Sequence, residues 1–193
     1  VTPPVLPPAA AAVLRCHPAS PCRGIDRIDV TLRWLQPVLL ELAYVMHGDA
    51  AAVVLPAAGR RQFADRLWEH TCVEAFLREG DGYAELNFSP SGDWAVYRFD
   101  GYRTGMRRVE LTVPSLIDVN RREQRIVITA AVSLAAFAWV RQAQHLTMAL
   151  SAVIEETGGA RSYWALAHPS ENPDFHHAGA FALTLPVQHE TVR

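Results

Sequence analysis

Apolar and polar residues alternate with period two along most of this chain, and clusters of Gly, Pro, Asn, Asp and Ser interrupt the alternation at short intervals. Period-two alternation is the signature of a strand with one face buried. It predicts strands over 25–34, 38–46, 51–55, 67–78, 83–89, 94–102, 109–113, 125–132, 146–154, 163–167 and 180–185. Glu79-Gly80-Asp81-Gly82 is a strong turn signal, and Pro90-Ser91-Gly92-Asp93 makes a hairpin of the strands on either side of it. Only the Ala-rich window 134–144 reads as a short helix. A longer helix over 134–154 would make an α+β domain instead. Strands separated by turns, with almost no helix, predict an all-β fold. It would be an antiparallel β-sandwich, jelly-roll-like, of about ten strands with at most one short helix. Residues 1–24 are rich in Pro and Ala and read as an extended arm ending in the turn cluster 18–24; residues 25–193 form the sandwich domain.

The same alternation sorts side chains by face. In 67–76 one face carries Trp68, His70, Cys72, Glu74 and Phe76. In 83–88 one face carries Tyr83, Glu85 and Asn87, while Ala84, Leu86 and Phe88 are cleanly apolar and belong to the core. In 94–100 one face carries Trp94, Val96, Arg98 and Asp100, and the other Ala95, Tyr97 and Phe99. If these strands are neighbours, Trp68, His70, Glu74, Glu85, Asn87, Trp94 and Arg98 gather on one side of a sheet. Indole rings stack on the C–H faces of sugars, and carboxylates, amides and guanidinium groups bind the hydroxyls at the rim. The bland alternative is a solvated strand face whose Glu and Arg meet only water or each other. A lone strand cysteine such as Cys72 reads as a small hydrophobe, and His70 reads as structural.

Composition narrows the function. The chain has 193 residues, half of them hydrophobic and one fifth charged, so it can bury a full core without disulfides or metal. The net charge of −2 excludes a strongly basic nucleic-acid surface. All 18 basic residues are Arg; with no Lys, Schiff-base chemistry and a phosphate-loop lysine are excluded. With so much Ala, the bias fits a GC-rich bacterial genome. Cys16, Cys22 and Cys72 make no disulfide framework and fit a reducing compartment. No apolar run reaches the roughly 18 residues of a membrane helix. Prolines 3, 4, 7 and 8 interrupt the apolar start, and no basic residue precedes Arg15, which argues against a signal peptide. The expectation is a cytoplasmic protein with a small-molecule or glycan partner, and neither nucleic acid nor membrane.

Catalytic signatures are missing: there is no G-x-S-x-G elbow, P-loop or H-E-x-x-H. Glu74 and Glu85 are a conceivable glycosidase pair, but no other feature singles them out. The segment SYWALAHPSENPDFHH (162–177) brings His168, His176 and His177 near Glu171 and Asp174. A metal reading is weighed against a Pro-rich loop whose His side chains cap backbone groups, and the second is favoured because the spacing is irregular. No metal site is expected. Trp164 is either core or a second stacking platform.

The run LWEHTCVEAF (67–76), followed by YAELNFSPSGDWAVYRFDGYRTGM (83–106), resembles the DOMON-like superfamily that includes family 9 carbohydrate-binding modules. The shared order is Trp68, then Val73-Glu74, then the Tyr83 strand and the Gly92 turn. The closing segment SYWALAHPSENPDFHHAGAFALTL (162–185) looks like the late Trp strand, Pro-containing loop and final strand of that family. The resemblance implies a jelly-roll sandwich and a non-catalytic module for a carbohydrate or sugar-like small molecule. Trp68 and Trp164 would then clamp the guest at a spacing of about 7 Å. Glu74 would accept its hydroxyls, Arg98 would donate, and Glu85 and Asn87 would lie on the same face. The sequence departs from the sugar binders at His70-Thr71, where they tend to be acidic, and shows no acidic calcium loop. Other DOMON relatives bind haem through a Met and a His. Met46, Met106 and Met148, with His70, His168, His176 and His177, keep a haem-linked or redox domain as the alternative.

Overall fold

The structure, a computed structural model, describes residues 9–111 and 115–188. Twelve antiparallel strands form it: β1 (Ala10–Cys16), β2 (Ile25–Gln36), β3 (Leu39–Gly48), β4 (Cys72–Glu79), β5 (Gly82–Phe88), β6 (Trp94–Phe99), β7 (Arg107–Arg108), β8 (Leu116–Arg122), β9 (Arg125–Ser133), β10 (His145–Glu155), β11 (Arg161–Ala165) and β12 (Leu183–Pro186). They follow one curled path, β7-β6-β5-β4-β10-β11-β1-β2-β3-β9-β8, with β12 beside the start of β10. The helical segments among the described residues are 3-10 turns at Ala50–Ala52, Leu67–Glu69, Ala138–Arg141 and Ala178–Ala180. The all-β sandwich expected from the alternation is the fold.

The path doubles back on itself at β1. Ala10 to Leu14 pair with β2, and Arg15 and Cys16 pair with β11, so one strand stitches two packed layers together. The first layer is β1-β2-β3-β9-β8 and the second is β7-β6-β5-β4-β10-β11. Thus much of the stretch read as an arm is tied into the body. An unbroken run of small alanines, residues 9–12, hid its pattern, while Leu14 anchors it in the core. Residues 1–8 lie outside the described residues.

Between the layers the inward positions of β2, β3 and β9 meet those of β4, β5 and β10. Ile28, Val30 and Leu32 face Ala75, Leu77, Leu86 and Leu150 across one core. Each fully buried aliphatic side chain there contributes about 1.5–3 kcal/mol. The expected core set Ala84, Leu86 and Phe88 lies here. The second layer is also covered on its outer face, where Phe76, Tyr83, Tyr97 and Phe99 form a second cluster under Phe63, Leu67, Trp68, Phe175 and Phe181. That double cover explains why β4 and β5 are buried almost without alternation. The site lies on this outer face.

Several local expectations are corrected. Residues 51–55 form a 3-10 turn and an isolated bridge at Val53, because Asp49 caps the turn by accepting from the Ala51 N–H. The long strand expected from 67 starts at Cys72. Arg66 takes a left-handed conformation and throws Leu67–Glu69 into a 3-10 turn. Of the strand expected over 109–113, Val109 donates to the Val96 carbonyl outside any regular strand, and 112–113 lie outside the described residues. The window 134–144 holds one short 3-10 turn, and 145–155 is β10, not helix. β8, with few apolar residues, escaped the pattern.

Candidate functional site

A cavity of about 500 Å3 opens on the outer face of the second layer. Its floor comes from strands. Glu74 of β4 sits opposite Asn87 of β5 on one side and Ser151 of β10 on the other, so all three side chains point the same way. Glu85 lies two residues before Asn87 on that face, diagonal to Glu74. Val153 and Tyr163 continue the face across β10 and β11. Phe99 comes from β6, and the loops on either side of the face add Arg103, Met106, Phe175 and His176. Trp68 reaches the cavity from its 3-10 turn and packs edge-on against Tyr97, ring centroids 5.9 Å apart.

Both carboxyl groups are nearly sealed from solvent, Glu74 at 2% and Glu85 at 5% exposure. Each is held by one protein donor. Ser151 Oγ donates to Glu74 Oε2 at 3.0 Å, and Asn87 Nδ2 donates to Glu85 Oε1 at 2.8 Å. Burial, with the neighbouring Glu85 charge, pushes the Glu74 carboxyl up to about 8. Burial raises Glu85 as well, against the pull of the Asn87 hydrogen bond and the Arg103 charge. Two such groups on one sheet face cannot both ionise cheaply, so near neutral pH the pair retains a proton.

His176 closes one side. Tyr83 Oη accepts from the Arg103 backbone N–H at 3.2 Å and lies 2.7 Å from His176 Nδ1. The phenol and the imidazole Nδ1 share a hydrogen bond, and the other ring nitrogen, Nε2, stands 3.9 Å from Glu85 Oε2. Burial, then the Arg103 charge, pushes His176 down to about 4, so it is neutral at pH 7. The Arg103 side chain is tethered by Asp174 Oδ1 at 2.9 Å.

The six residues singled out from the sequence separate into two groups. Trp68, Glu74 and Glu85 line the cavity, and Asn87 is fully buried behind it, holding Glu85. Trp164 lies elsewhere. It projects from β11 into the core between the layers at 3% exposure, its indole N–H donating to Ser162 Oγ. Arg98 is also on the inner face of its strand, opposite Ala84, and pairs with Glu79 at 2.6 Å. The reason is register. Glu85 is opposite Tyr97, and Asn87 is opposite Ala95, so the Ala95-Tyr97-Phe99 face of β6 joins the site while Trp94 and Arg98 turn away. Trp94 accordingly lies in the core, and His70 is bound to Glu155 at 2.7 Å outside the cavity.

Sequence reasoning did not assign Tyr163, Phe175, Arg103 and Ser151 to the site, and weighed His176 only as a metal or haem ligand. Ser151 carried a readable signal, a lone polar residue in the apolar middle of β10; the loop residues carried none. The capping role expected for the late histidines holds for His177, which accepts from the Gly179 N–H, and for His168, bonded to the Arg15 carbonyl. Among the described residues no group of three or more His, Cys, Asp or Glu is arranged to hold a metal ion. Of the methionines weighed for haem, Met106 alone lies at the cavity. Met46 and Met148 are buried in the core. Met106 and His176 share the cavity; His176 Nδ1 is hydrogen-bonded to Tyr83, and its Nε2 lies 3.9 Å from Glu85 Oε2.

Comparison with solved structures places this architecture. Over 93% of the chain it superposes on 86% of a candidate carbohydrate-binding protein from Bacteroides uniformis, with a TM-score of 0.66 and 17% identity. It also superposes on a family 9 carbohydrate-binding module from Caldicellulosiruptor kristjanssonii. In complex with glucose that module gives a TM-score of 0.52 at 10% identity, covering 93% of this chain and 86% of the other. In complex with cellotriose it gives 0.52 at 9% identity, covering 93% and 84%. The chain shares its fold with these modules. No protein-family model matches the sequence, and no curated protein matches it.

Proposed function

We propose that this chain is a non-catalytic binding module for a carbohydrate or sugar-like small molecule, seated in the cavity beside Trp68. One observation carries the reading: an aromatic wall and two buried carboxyl groups converge on one cavity of a size suited to a small ligand. Trp68 supplies a stacking surface, with Tyr163 and Phe175 in place of the expected Trp164. Glu74 and Glu85 accept hydrogen bonds from sugar hydroxyls, and Asn87 positions Glu85. The glucose and cellotriose complexes of a module with this fold support the same ligand class.

The arrangement favours binding over hydrolysis. Glycosidases flank the scissile bond with their two carboxyl groups. Here both carboxyls rise from adjacent strands on one face and approach a guest from the same side.

Calorimetric titration with a panel of mono- and oligosaccharides tests this. Wild type binds at least one member, and Trp68→Ala weakens that binding by about 10- to 100-fold, the worth of one buried aromatic surface. Absence of binding across the panel, or release of hydrolysis products, contradicts the proposal.

A further inference from the structure

The two carboxyl groups point to a narrower ligand class. Glu74 uses one oxygen for Ser151 and Glu85 one for Asn87. The second oxygen of each accepts no hydrogen bond among the described residues, and neither is sealed away from the cavity that both residues line. Buried carboxylates need a compensating cation or become protonated. The surrounding groups supply little compensation. Arg103 is tied to Asp174, the His176 imidazole is neutral, and Arg161 stands exposed at the rim. Cys72, Tyr44, Tyr83 and Tyr97, which also surround the pair, are kept neutral by burial. Glu69, at the cavity edge, is paired with Arg66. The rings of Trp68, Phe99, Tyr163 and Phe175 line the same cavity.

We infer that the guest is a sugar carrying a free primary amine, its ammonium group seated between the open oxygens of Glu74 and Glu85 inside these aromatic walls. This rests on the sugar-binding reading above. A hydroxyl offers one donor and no charge. An ammonium offers three donors and a full positive charge, so it satisfies both carboxyls at once and gains from the aromatic faces. An N-acetylated amine has lost the charge and is a poor guest. The ammonium arrives protonated, and the carboxyl O–H bond retained by the pair breaks as its proton passes to the buffer; no bond between guest and protein is made or broken beyond hydrogen bonds and ion pairing.

The test is calorimetry with glucosamine, N-acetylglucosamine and glucose at pH 7, in two buffers of different ionisation enthalpy. The expected result is that glucosamine binds about tenfold or more tightly than glucose. Its apparent enthalpy differs between the buffers by the release of up to about one proton, as the paired titration requires. Glu85→Gln, an isostere whose folding is checked by thermal melting, weakens glucosamine more than glucose. Glucose binding as tightly as glucosamine, or glucosamine binding without proton release, overturns the amine assignment and leaves the sugar reading standing. If Glu85→Gln does not fold, the wild-type preference and proton release decide the matter alone. No binding of these three or of the oligosaccharide panel overturns both.

Discussion

At the scale of single residues, the site is a small set of ionisable groups displaced from their ordinary behaviour. Glu74 and Glu85 were legible in the sequence because strand alternation put them on one face, opposite Ala84 and Leu86. Their protonation was not legible, since it depends on the covering loops that exclude water. It has a consequence for stability. Glu74 holds its proton up to about pH 8 in the folded chain and only to about 4.5 when unfolded. Across that window the folded state binds more protons than the unfolded state, so this group lowers stability as pH rises. His176 acts oppositely. Its folded value of about 4 lies below the ordinary 6.5, so it makes stability rise with pH between those values. The two trends offset each other below pH 6.5. Above it Glu74 acts without that counterweight. Urea unfolding is therefore expected to show stability nearly flat from pH 5 to 6.5 and falling from 6.5 to 8, by at most about 1.4 kcal/mol per pH unit per group. Glu74→Gln removes most of that fall. A wild-type profile that rises from 6.5 to 8 contradicts the buried-acid description.

At the scale of elements, the errors of sequence reading share a cause. Alternation assigns residues to two faces of a strand but leaves open which face meets which neighbour. That is fixed by register, through long-range pairs such as Glu85 with Tyr97 and Ala152 with Trp164. Hence β6 and β11 were read with the wrong side toward the site. The 3-10 turn at Leu67–Glu69 is a different case: the pattern continued the strand through it, and only the left-handed Arg66 breaks the run. Trp68 reached the expected place by a different route. The reassignment of Trp164 has its own test. As a core residue, Trp164→Ala is expected to cost about 3–5 kcal/mol in denaturant unfolding. Full stability with loss of ligand binding would restore it to the site. A second element-scale expectation concerns Gly48 at the end of β3, with φ +138°. A Cβ there would lie 2.2 Å from the Gly24 carbonyl oxygen. Gly48→Ala is expected to destabilise by more than about 1 kcal/mol, and a neutral effect contradicts the close approach of these strands.

At the scale of the whole molecule, the sandwich was the most legible feature, because it follows from many strands and turns whose individual errors cancel. What sequence could not supply was the second cover. The outer face of β4, β5 and β6 is roofed by residues from three separate loops, which is how a face expected to be open to water became a walled cavity. β1, joining the two layers, holds the edge of that face at β11. The central claim is that the guest sits in this cavity, against Trp68 alone among the five tryptophans. The direct measurement is a 15N NMR titration that follows the five indole N–H signals as the best-binding sugar is added. The Trp68 signal is expected to move with saturation while those of Trp34 and Trp164, fixed by Pro186 and Ser162, stay in place. A stationary Trp68 signal with the Trp164 signal shifting, or saturation with no indole signal moving, would contradict the account.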